Sequence, residues 1–392
     1  MENTIEQEVY MIKPANRLGQ VKEYYFSRKL REIAAMRAAG KDVLNLGIGS
    51  PDLPPHESVI DTLHAASAAP DNHAYQSYQG LPALRSAFAA WYERFFQVTL
   101  EAENEVLPLI GSKEGIMHIS MSFLNPGDEV LVPNPGYPSY RSATDLAGSV
   151  IRAYELNEEN GWFPDLEALA QEDLSKVKIM WVNYPHMPTG TPARIAFFQK
   201  LVAFAQRHDI LLVNDNPYAF ILTEEPVSIL AVPGAKAVAL ELNSLSKSHN
   251  MAGWRVGMVA GASTYIQTIL RFKSNMDSGM YKPLQLAAKT ALELPASWYE
   301  QQNEIYQQRR ILAEQLLQTL GCRILPNQVG MFVWARVGAQ YENGYELADQ
   351  VLADQHVFLT PGGIFGSAGE QYIRVSLCSS PEKLKEAIAR IS

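Results

Sequence analysis

The middle of this chain alternates short apolar runs with segments of helical period, and this alternation constrains the fold more than any other feature. Helical stretches such as Glu114–Leu124 and Ala193–His208 separate apolar runs of strand length. Strands that alternate with helices of about 10–15 residues are typical of a mostly parallel, doubly wound sheet. We therefore predict an α/β fold. The predicted strands are Val106–Ile110, Glu129–Pro133, Val177–Asn183, Ile210–Asn214, Ala237–Leu242 and Val256–Gly261.

The length of 392 residues permits two domains. We predict a large domain over residues 46–290. Residues 1–45 and 291–392 are expected to form a smaller α+β domain, because the C-terminal third reads as helices plus short strands. In open α/β sheets, ligands bind beyond the carboxyl ends of the strands. Asp215 and Lys247 both follow predicted strands, so one cleft is expected to hold both.

Composition excludes several classes of partner. The formal net charge of −9 disfavours nucleic acid and anionic membrane surfaces, which bind basic faces. Cys322 and Cys378 lie far apart and form no CxxC pair, which fits a reduced, cytoplasmic protein. No apolar run approaches the roughly 18 residues of a membrane span, and the polar, acidic start of the chain is unlike a signal peptide. No metal site is predicted.

Residues 244–257 read SLSKSHNMAGWRVG and contain the most specific motif of the chain. Ser244 and Ser246 precede Lys247, and Arg255 follows it by eight positions. This spacing suggests an amine held beside a phosphate group. A pyridoxal 5'-phosphate site needs that arrangement, with an amine for a Schiff base and a cation plus hydroxyls for the phosphate. The alternative is a surface loop followed by a structural arginine.

Two further strand ends carry groups that suit the same cofactor. Gly111, Ser112 and Lys113 form a turn at a helix N-terminus, where backbone N–H groups bind phosphate. A plain turn with a serine cap is the alternative. Asp215 follows a strand and would keep a pyridine nitrogen protonated, while Tyr218 would donate to a phenolate oxygen. An Asx-turn is the alternative for this aspartate.

An aromatic residue and an arginine complete the set of candidates. Tyr137, in the segment NPGYPSY, would stack on a cofactor ring, or would simply pack for stability. Arg374 interrupts the strand-like segment QYIRVSL. Arginine binds carboxylates bidentately, which suits the α-carboxylate of a substrate. An edge-strand residue that keeps the protein soluble is the alternative.

These motifs, in this order, resemble the class I/II pyridoxal phosphate-dependent aminotransferases of fold type I. The resemblance runs from about Asn45 to Ser376. It implies a fold type I architecture and transfer of an amino group between an L-amino acid and a 2-oxo acid. The matching segments are the Gly-rich run after Asn45, Tyr75 to Gly80, GSKEG, NPGYPSY, NYPHMPTG, DNPY, SLSKSHNMAGWR and YIRVS.

The resemblance also implies a role for each matched residue. Lys247 is expected to form the internal aldimine, with Asp215 at the pyridine nitrogen, Tyr218 at the phenolate oxygen and Tyr137 stacked on the ring. Further residues are expected to bind the cofactor, mainly through its phosphate: Gly111, Ser112, Lys113, Asn183, Ser244, Ser246 and Arg255.

Three residues are matched to the substrate and to a second subunit. Gly49 and Arg374 match the groups that bind the substrate α-carboxylate. Tyr75 matches a tyrosine that reaches the phosphate in the partner subunit, which implies a homodimer.

Met187 is a departure from the family pattern. The family loop carries an asparagine there that donates to the phenolate oxygen, whereas a thioether donates nothing. Either Tyr218 alone donates to that oxygen, or Asn183 or His186 supplies the missing donor, unless His186 is only a loop residue. Without that donor, the pKa of the internal aldimine is expected to rise.

Other activities and the substrate side chain stay open at this point. A C–S β-lyase on the same fold and a non-catalytic ligand sensor are the alternatives, and a cofactor-free α/β protein is a third. A sensor of this kind carries a winged-helix domain, for which the segment before Asn45 is too short. GSKEG and residues 278–288 look most like the alanine/diaminopimelate/aspartate-type branch. Lys113, Lys282 and Tyr24 are candidates for the side-chain pocket.

Overall fold

The computed structural model describes residues 12–19, 23 and 25–392. Within them, no helix has both the length and the apolar character required to cross a bilayer. The strands are β1 (Leu44–Asn45), β2 (Val106–Leu109), β3 (Glu129–Asn134), β4 (Val150–Glu155), β5 (Val177–Val182), β6 (Leu211–Asp215), β7 (Ala239–Ser244), β8 (Gly257–Gly261), β9 (Arg323–Ile324), β10 (Phe332–Arg336), β11 (Val357–Phe358), β12 (Thr360–Pro361) and β13 (Tyr372–Ser376). The α-helices are α1 (Tyr25–Ala38), α2 (Glu57–Ala68), α3 (Pro82–Phe96), α4 (Ser112–Phe123), α5 (Pro138–Leu146), α6 (Leu166–Leu169), α7 (Ile195–His208), α8 (Leu245–Ser248), α9 (Ser263–Lys273), α10 (Lys282–Leu292), α11 (Ala296–Thr319), α12 (Gly344–Gln355) and α13 (Pro381–Ile391).

A seven-stranded sheet forms the centre of the molecule, in the order β2-β8-β7-β6-β5-β3-β4. Its strands run parallel except β8, which is antiparallel to both β2 and β7. Helices cover both faces, so the central strands are buried on both sides and read as continuous apolar runs. The predicted α/β fold with a mostly parallel sheet is confirmed.

The two strand ends that carry Asp215 and Lys247 differ from the prediction by a residue or two. Asp215 was expected just past its strand, but it is the last residue of β6 because it still pairs with Leu242 of β7. Strand β7 extends to Ser244, and Lys247 lies in the short helix α8 that follows at once. Both functional groups therefore start from adjacent strands of one sheet, and their positions are fixed by its hydrogen bonds.

The C-terminal part forms a four-stranded antiparallel sheet in the order β12-β13-β10-β9. Strand β1 pairs in parallel with β11, so the N-terminal segment packs against the C-terminal third. The buried Arg309 of α11 forms an ion pair with Asp52 at 2.6 Å, next to the Gly-rich segment. The pairing of β1 with β11 supports our proposal that residues 1–45 and 291–392 form one smaller domain beside a large domain of residues 46–290, and the Arg309–Asp52 ion pair joins the two proposed domains.

Candidate active site

A cavity of about 560 Å³ lies at the carboxyl ends of the central strands. Residues at or just after the ends of β2, β3, β6 and β7 line the cavity. Residues of α1 and β13 also line it. This position is where open α/β sheets bind ligands. Of the predicted site residues, those that line the cavity are Gly49, Ser112, Lys113, Tyr137, Asn183, Asp215, Tyr218, Ser244, Ser246, Lys247, Arg255 and Arg374.

Hydroxyls, a guanidinium and a helix N-terminus meet at one end of the cavity. The Ser244 hydroxyl donates to Ser246 Oγ at 2.8 Å, and Arg255 Nη1 lies 3.4 Å from the same Ser246 Oγ. Gly111 does not line the cavity, but a Cβ atom on it would lie 2.1 Å from Arg255 Nη2. Its φ of 85° also favours glycine. Helix α4 begins at the next residue, Ser112, so this corner can bind a phosphate dianion.

The loop from β7 to β8 determines where the lysine and the arginine lie. Ser244 of β7 pairs with Gly257 of β8 across the sheet, so Lys247 and Arg255 occupy one connection between two paired strands. Arg255 has φ 58° and ψ 55°, a left-handed conformation that is uncommon for a residue with a side chain. Such backbone strain is found at functional sites.

Lys247 is half-buried and lines the cavity. Its Nζ donates a hydrogen bond of 2.5 Å to the carbonyl oxygen of Gly49. Burial lowers the pKa of the Lys247 ammonium, and the positive charges of Arg374 and Arg255 act in the same direction. A lower pKa increases the fraction of neutral amine, which is the nucleophilic form that a covalent amine catalyst requires.

Asp215 lies at the floor of the cavity and is 4% exposed. Tyr140 donates its hydroxyl to Oδ2 at 3.0 Å, whereas Oδ1 is buried and has no hydrogen-bond partner among the described residues. Burial raises the pKa of the Asp215 carboxyl to about 7; the Tyr140 hydrogen bond opposes this rise and the charge of Glu241 adds to it. A buried acceptor without a partner is costly, so Oδ1 is suited to a ligand that carries a cationic N–H group.

Tyr140 was not predicted from the sequence. Its ring stacks on Trp181 with a centroid separation of 5.0 Å and an interplanar angle of 5°, which holds the hydroxyl at Asp215. It lies three positions after Tyr137, in the first turn of α5. Residues three apart share a helix face, so the NPGYPSY segment contained the signal that could have identified it.

Glu241 is a second residue that the sequence prediction missed. It is fully buried in β7 and accepts hydrogen bonds from Ser228 Oγ, Tyr92 Oη and Asn214 Nδ2 at 2.7–3.0 Å, and from the Ile229 N–H at 3.0 Å. It pairs with Asn214, the residue before Asp215. Acids are rarely buried without donors, so a glutamate within the apolar run AVALEL was a usable signal.

Arg374 lies in the interior of the C-terminal sheet, not at its edge, because β13 is between β12 and β10. The edge-strand interpretation is therefore wrong. Arg374 is 3% exposed, and its guanidinium carbon lies 3.8 Å from the centroid of the Phe332 ring and 4.7 Å from that of Phe365. Nη2 donates to the carbonyl oxygen of Gly47 at 2.9 Å. This guanidinium is held in a defined orientation at the cavity wall.

The loop that contains Met187 is tied to the floor through Asn183. Asn183 Nδ2 donates to the Asp215 carbonyl oxygen at 2.5 Å, and its Oδ1 accepts the Met187 N–H at 2.9 Å. Met187 Sδ lies 3.2 Å from Arg374 Nη1. His186 does not line the cavity, and its Nδ1 pairs with the Thr189 hydroxyl at 2.8 Å. The Asn183 side chain therefore contacts the backbone of β6 through Nδ2 and the backbone of this loop through Oδ1.

The other predicted residues lie away from the cavity wall. Tyr75 is 92% exposed and does not line the cavity, and neither does Lys282. Tyr24 lies outside the described residues.

A cluster of Glu114, His118 and Asp277 lies behind the phosphate corner, with ligand-type atoms within 4.8 Å of one another. Its carboxylates already have partners. Lys273 Nζ lies 2.7 Å from Asp277 Oδ2, and Glu114 Oε2 accepts the Ile110 N–H at 2.5 Å. We interpret this cluster as a buried ion-pair network that supports the turn before α4.

Comparison with known proteins identifies the family. The sequence profile of aminotransferase class I and II matches residues 41–391. This chain belongs to the class I and II aminotransferases. An LL-diaminopimelate aminotransferase from Dehalococcoides mccartyi is 42% identical over 383 residues, which are 97% of this chain and 98% of the relative.

Solved structures agree with this assignment. Substrate-bound BacF from Bacillus subtilis superposes with a TM-score of 0.92 at 36% identity, covering 97% of each chain. A single mutant of Thermus thermophilus aspartate aminotransferase has a TM-score of 0.90 at 27% identity, covering 97% of this chain and 99% of the other. The predicted resemblance, the fold type I architecture and aminotransferase activity are confirmed for this aminotransferase.

Proposed function

We propose that this aminotransferase uses pyridoxal 5'-phosphate, bound in the cavity through Lys247, to move an amino group between an L-amino acid and a 2-oxo acid. One observation carries the proposal. The Asp215 carboxylate is buried and its Oδ1 has no donor among the described residues, in the same cavity as a half-buried lysine and a phosphate-binding corner. A pyridinium N–H, an aldehyde and a phosphate on one small molecule would satisfy all three.

When bound, the cofactor supplies an electron sink that makes the substrate Cα–H bond acidic. Side chains of the protein would orient the cofactor, bind the substrate and transfer the proton. Asp215 would hold the proton on the pyridine nitrogen, and Tyr218 would donate to the phenolate oxygen. Lys247 Nζ, with its lowered pKa, would take the proton from Cα and return it during the amino transfer. Arg374 would bind the α-carboxylate and so orient Cα toward the lysine.

The phosphate corner anchors the cofactor in this proposal. Ser244, Ser246 and Arg255 already contact one another there, and the first turn of α4 adds backbone N–H donors at Ser112 and Lys113. Several charge-assisted hydrogen bonds to a dianion would hold the ring in one orientation above Asp215.

We further propose a homodimer with shared sites, in the cytoplasm. Exposed tyrosines at positions 75, 78 and 281 support the dimer, and their two segments touch, since the His73 and Tyr281 rings lie 5.8 Å apart. Exposed apolar surface of this kind is typical of an interface. The two buried, unpaired cysteines fit a reducing compartment.

The cofactor proposal is tested by reducing the holoenzyme with borohydride and mapping the labelled peptide. We expect the label on Lys247 and loss of the visible band when an amino donor is added without an acceptor. A label on another lysine would overturn the assignment of Lys247, and an unchanged spectrum with every donor would overturn amino transfer.

The dimer proposal is tested by mixing two inactive variants, Lys247→Ala and Tyr75→Ala. If Tyr75 acts in the partner's site, a mixed dimer contains one intact site, and random mixing should restore about one quarter of the wild-type activity. If Tyr75 acts within its own subunit, mixing should restore nothing.

A further inference from the structure

We propose that the side-chain subsite of this aminotransferase takes an apolar or aromatic side chain and discriminates against one that ends in a charged group. The inference rests on the function proposed above, because that proposal assigns the rest of the cavity to the cofactor and the α-carboxylate. The side-chain wall is the remaining apolar part of the lining, formed by Phe26, Leu30, Ile48, Phe332 and Phe365.

The wall around Arg374 is built from aromatic and aliphatic side chains. Phe332 and Phe365 lie 3.8 and 4.7 Å from the guanidinium carbon, and the Phe26 ring lies 5.8 Å from it. Leu30 and Ile48 line the same cavity. These residues come from α1, the Gly-rich segment and the C-terminal part, which converge over the cleft.

The position of Arg374 links this wall to the substrate side chain. With successive covalent bonds of about 1.5 Å, Cα and Cβ follow directly from a carboxylate held by the guanidinium. A carboxylate bound by this guanidinium would lie beside the rings of Phe332 and Phe365, so the side chain of a bound amino acid would start next to the apolar wall. Aromatic and aliphatic groups gain free energy by burial there, whereas a charged group loses hydration.

The charged groups among the described lining residues are assigned to the cofactor or to the α-carboxylate. Asp215 is the only carboxylate among the described lining residues, and it lies at the floor with Tyr140. A second ammonium group on a substrate would therefore find no acid to pair with among the described lining residues of its own subunit. Among the cations, Lys113 belongs to the phosphate turn beside Ser112.

This wall is unfavourable for the substrate after which the relatives are named. LL-diaminopimelate ends in a second ammonium and a second carboxylate. Burying such a pair against phenylalanine and leucine side chains is unfavourable unless both charges are compensated. We infer that an identity of 42% to a diaminopimelate aminotransferase accompanies a different amino donor.

The test is a comparison of amino donors with the holoenzyme. L-Phenylalanine, L-leucine, L-aspartate and LL-diaminopimelate are each paired with 2-oxoglutarate, and the half-reaction is followed separately in the cofactor spectrum. We expect kcat/KM for phenylalanine or leucine to exceed that for LL-diaminopimelate and aspartate by about 100-fold. Faster turnover of either charged donor would overturn the inference and leave the proposed function intact. Failure of every donor would remove both.

A variant pair tests the wall directly. Leu30 is 44% exposed and lies in the middle of α1, so Leu30→Asp should fold. We expect it to lower kcat/KM for phenylalanine about tenfold and to weaken hydrocinnamate, a non-reactive carboxylate with an apolar tail, to a similar extent. The matched control is Ile311→Asp, which adds the same charge to an exposed residue of α11 outside the cavity. An equal effect of the two variants, or no effect of Leu30→Asp, would overturn the inference.

Discussion

Tyr140→Phe isolates a single hydrogen bond in the site. The substitution removes the hydroxyl that donates to Asp215 Oδ2 at 3.0 Å and keeps the ring that stacks on Trp181. A hydrogen bond to a charged group contributes about 1.5–3 kcal/mol, so its loss should raise the pKa of Asp215 by about 1–2 further units. The ionised carboxylate that pairs with the pyridine nitrogen is destabilised by the same amount.

The predicted readout is cofactor affinity. Tyr140→Phe should increase the dissociation constant for pyridoxal 5'-phosphate at pH 7 by about 5- to 50-fold, because the Asp215 carboxyl of the free variant is then mostly protonated and must lose its proton to pair with the pyridinium. The assay is an equilibrium titration of the cofactor-free protein, followed by the visible absorption of the complex. Only a minor change in the fold is expected, since the ring and its stacking partner remain.

A matched control separates this effect from general loss of a buried hydroxyl. Tyr154 is also fully buried, and its hydroxyl donates to the Trp181 carbonyl oxygen at 2.6 Å. Tyr154→Phe removes a similar hydrogen bond without touching Asp215. The reasoning would be refuted if Tyr140→Phe bound the cofactor as tightly as the wild type, or if both variants weakened it equally.

Three further predictions concern the floor of the cavity and the neighbouring loop. In the cofactor-free protein the Asp215 pKa is about 7, against 3.8 for an exposed group, so between these values the folded state binds more protons and stability falls as pH rises. Asp215→Asn should abolish a loss of at most about 3 kcal/mol between pH 5 and 8, as measured by urea unfolding of both proteins. Glu241→Gln should cost about 2 kcal/mol of unfolding free energy, since in either orientation its N–H2 group would face two of the four donors that surround the carboxylate; unchanged stability would contradict this. Met187→Asn should lower the pH at which the visible cofactor band titrates, because an amide donates to a phenolate oxygen and a thioether does not, and an unmoved titration would show that this loop does not contact that oxygen.

The sequence predicted the positions of the buried central strands best, because the local apolar pattern of these strands reflects their burial on both faces of the sheet. Buried parallel strands are continuous apolar runs, so their ends were located to within one or two residues, and Asp215 and Lys247 followed from them. Predicting that they share a cavity required only the rule that ligands bind at the carboxyl ends of such strands. The roles assigned to these residues stay predictions.

The side-chain wall could not be predicted from the sequence pattern. Phe332, Phe365 and Leu30 come from parts of the chain that are far apart, and they meet only because α1 and the C-terminal sheet pack over the same cleft. No spacing or turn signal records that packing. Tyr140 and Glu241 differ, since a helical spacing and a buried acid made them detectable.

The pairing of Ser244 with Gly257 has a consequence for how this protein can vary. The segment from α8 to Arg255 is joined at both ends to neighbouring, paired strands. It is therefore a spacer of fixed length between the catalytic amine and the phosphate-binding arginine. An inserted or deleted residue there could not be absorbed by sliding either strand, because a shift of one position turns every side chain of a strand to the opposite face. Insertions and deletions among descendants of this chain should therefore accumulate in surface loops. The spacer should keep its number of residues even where its side chains change.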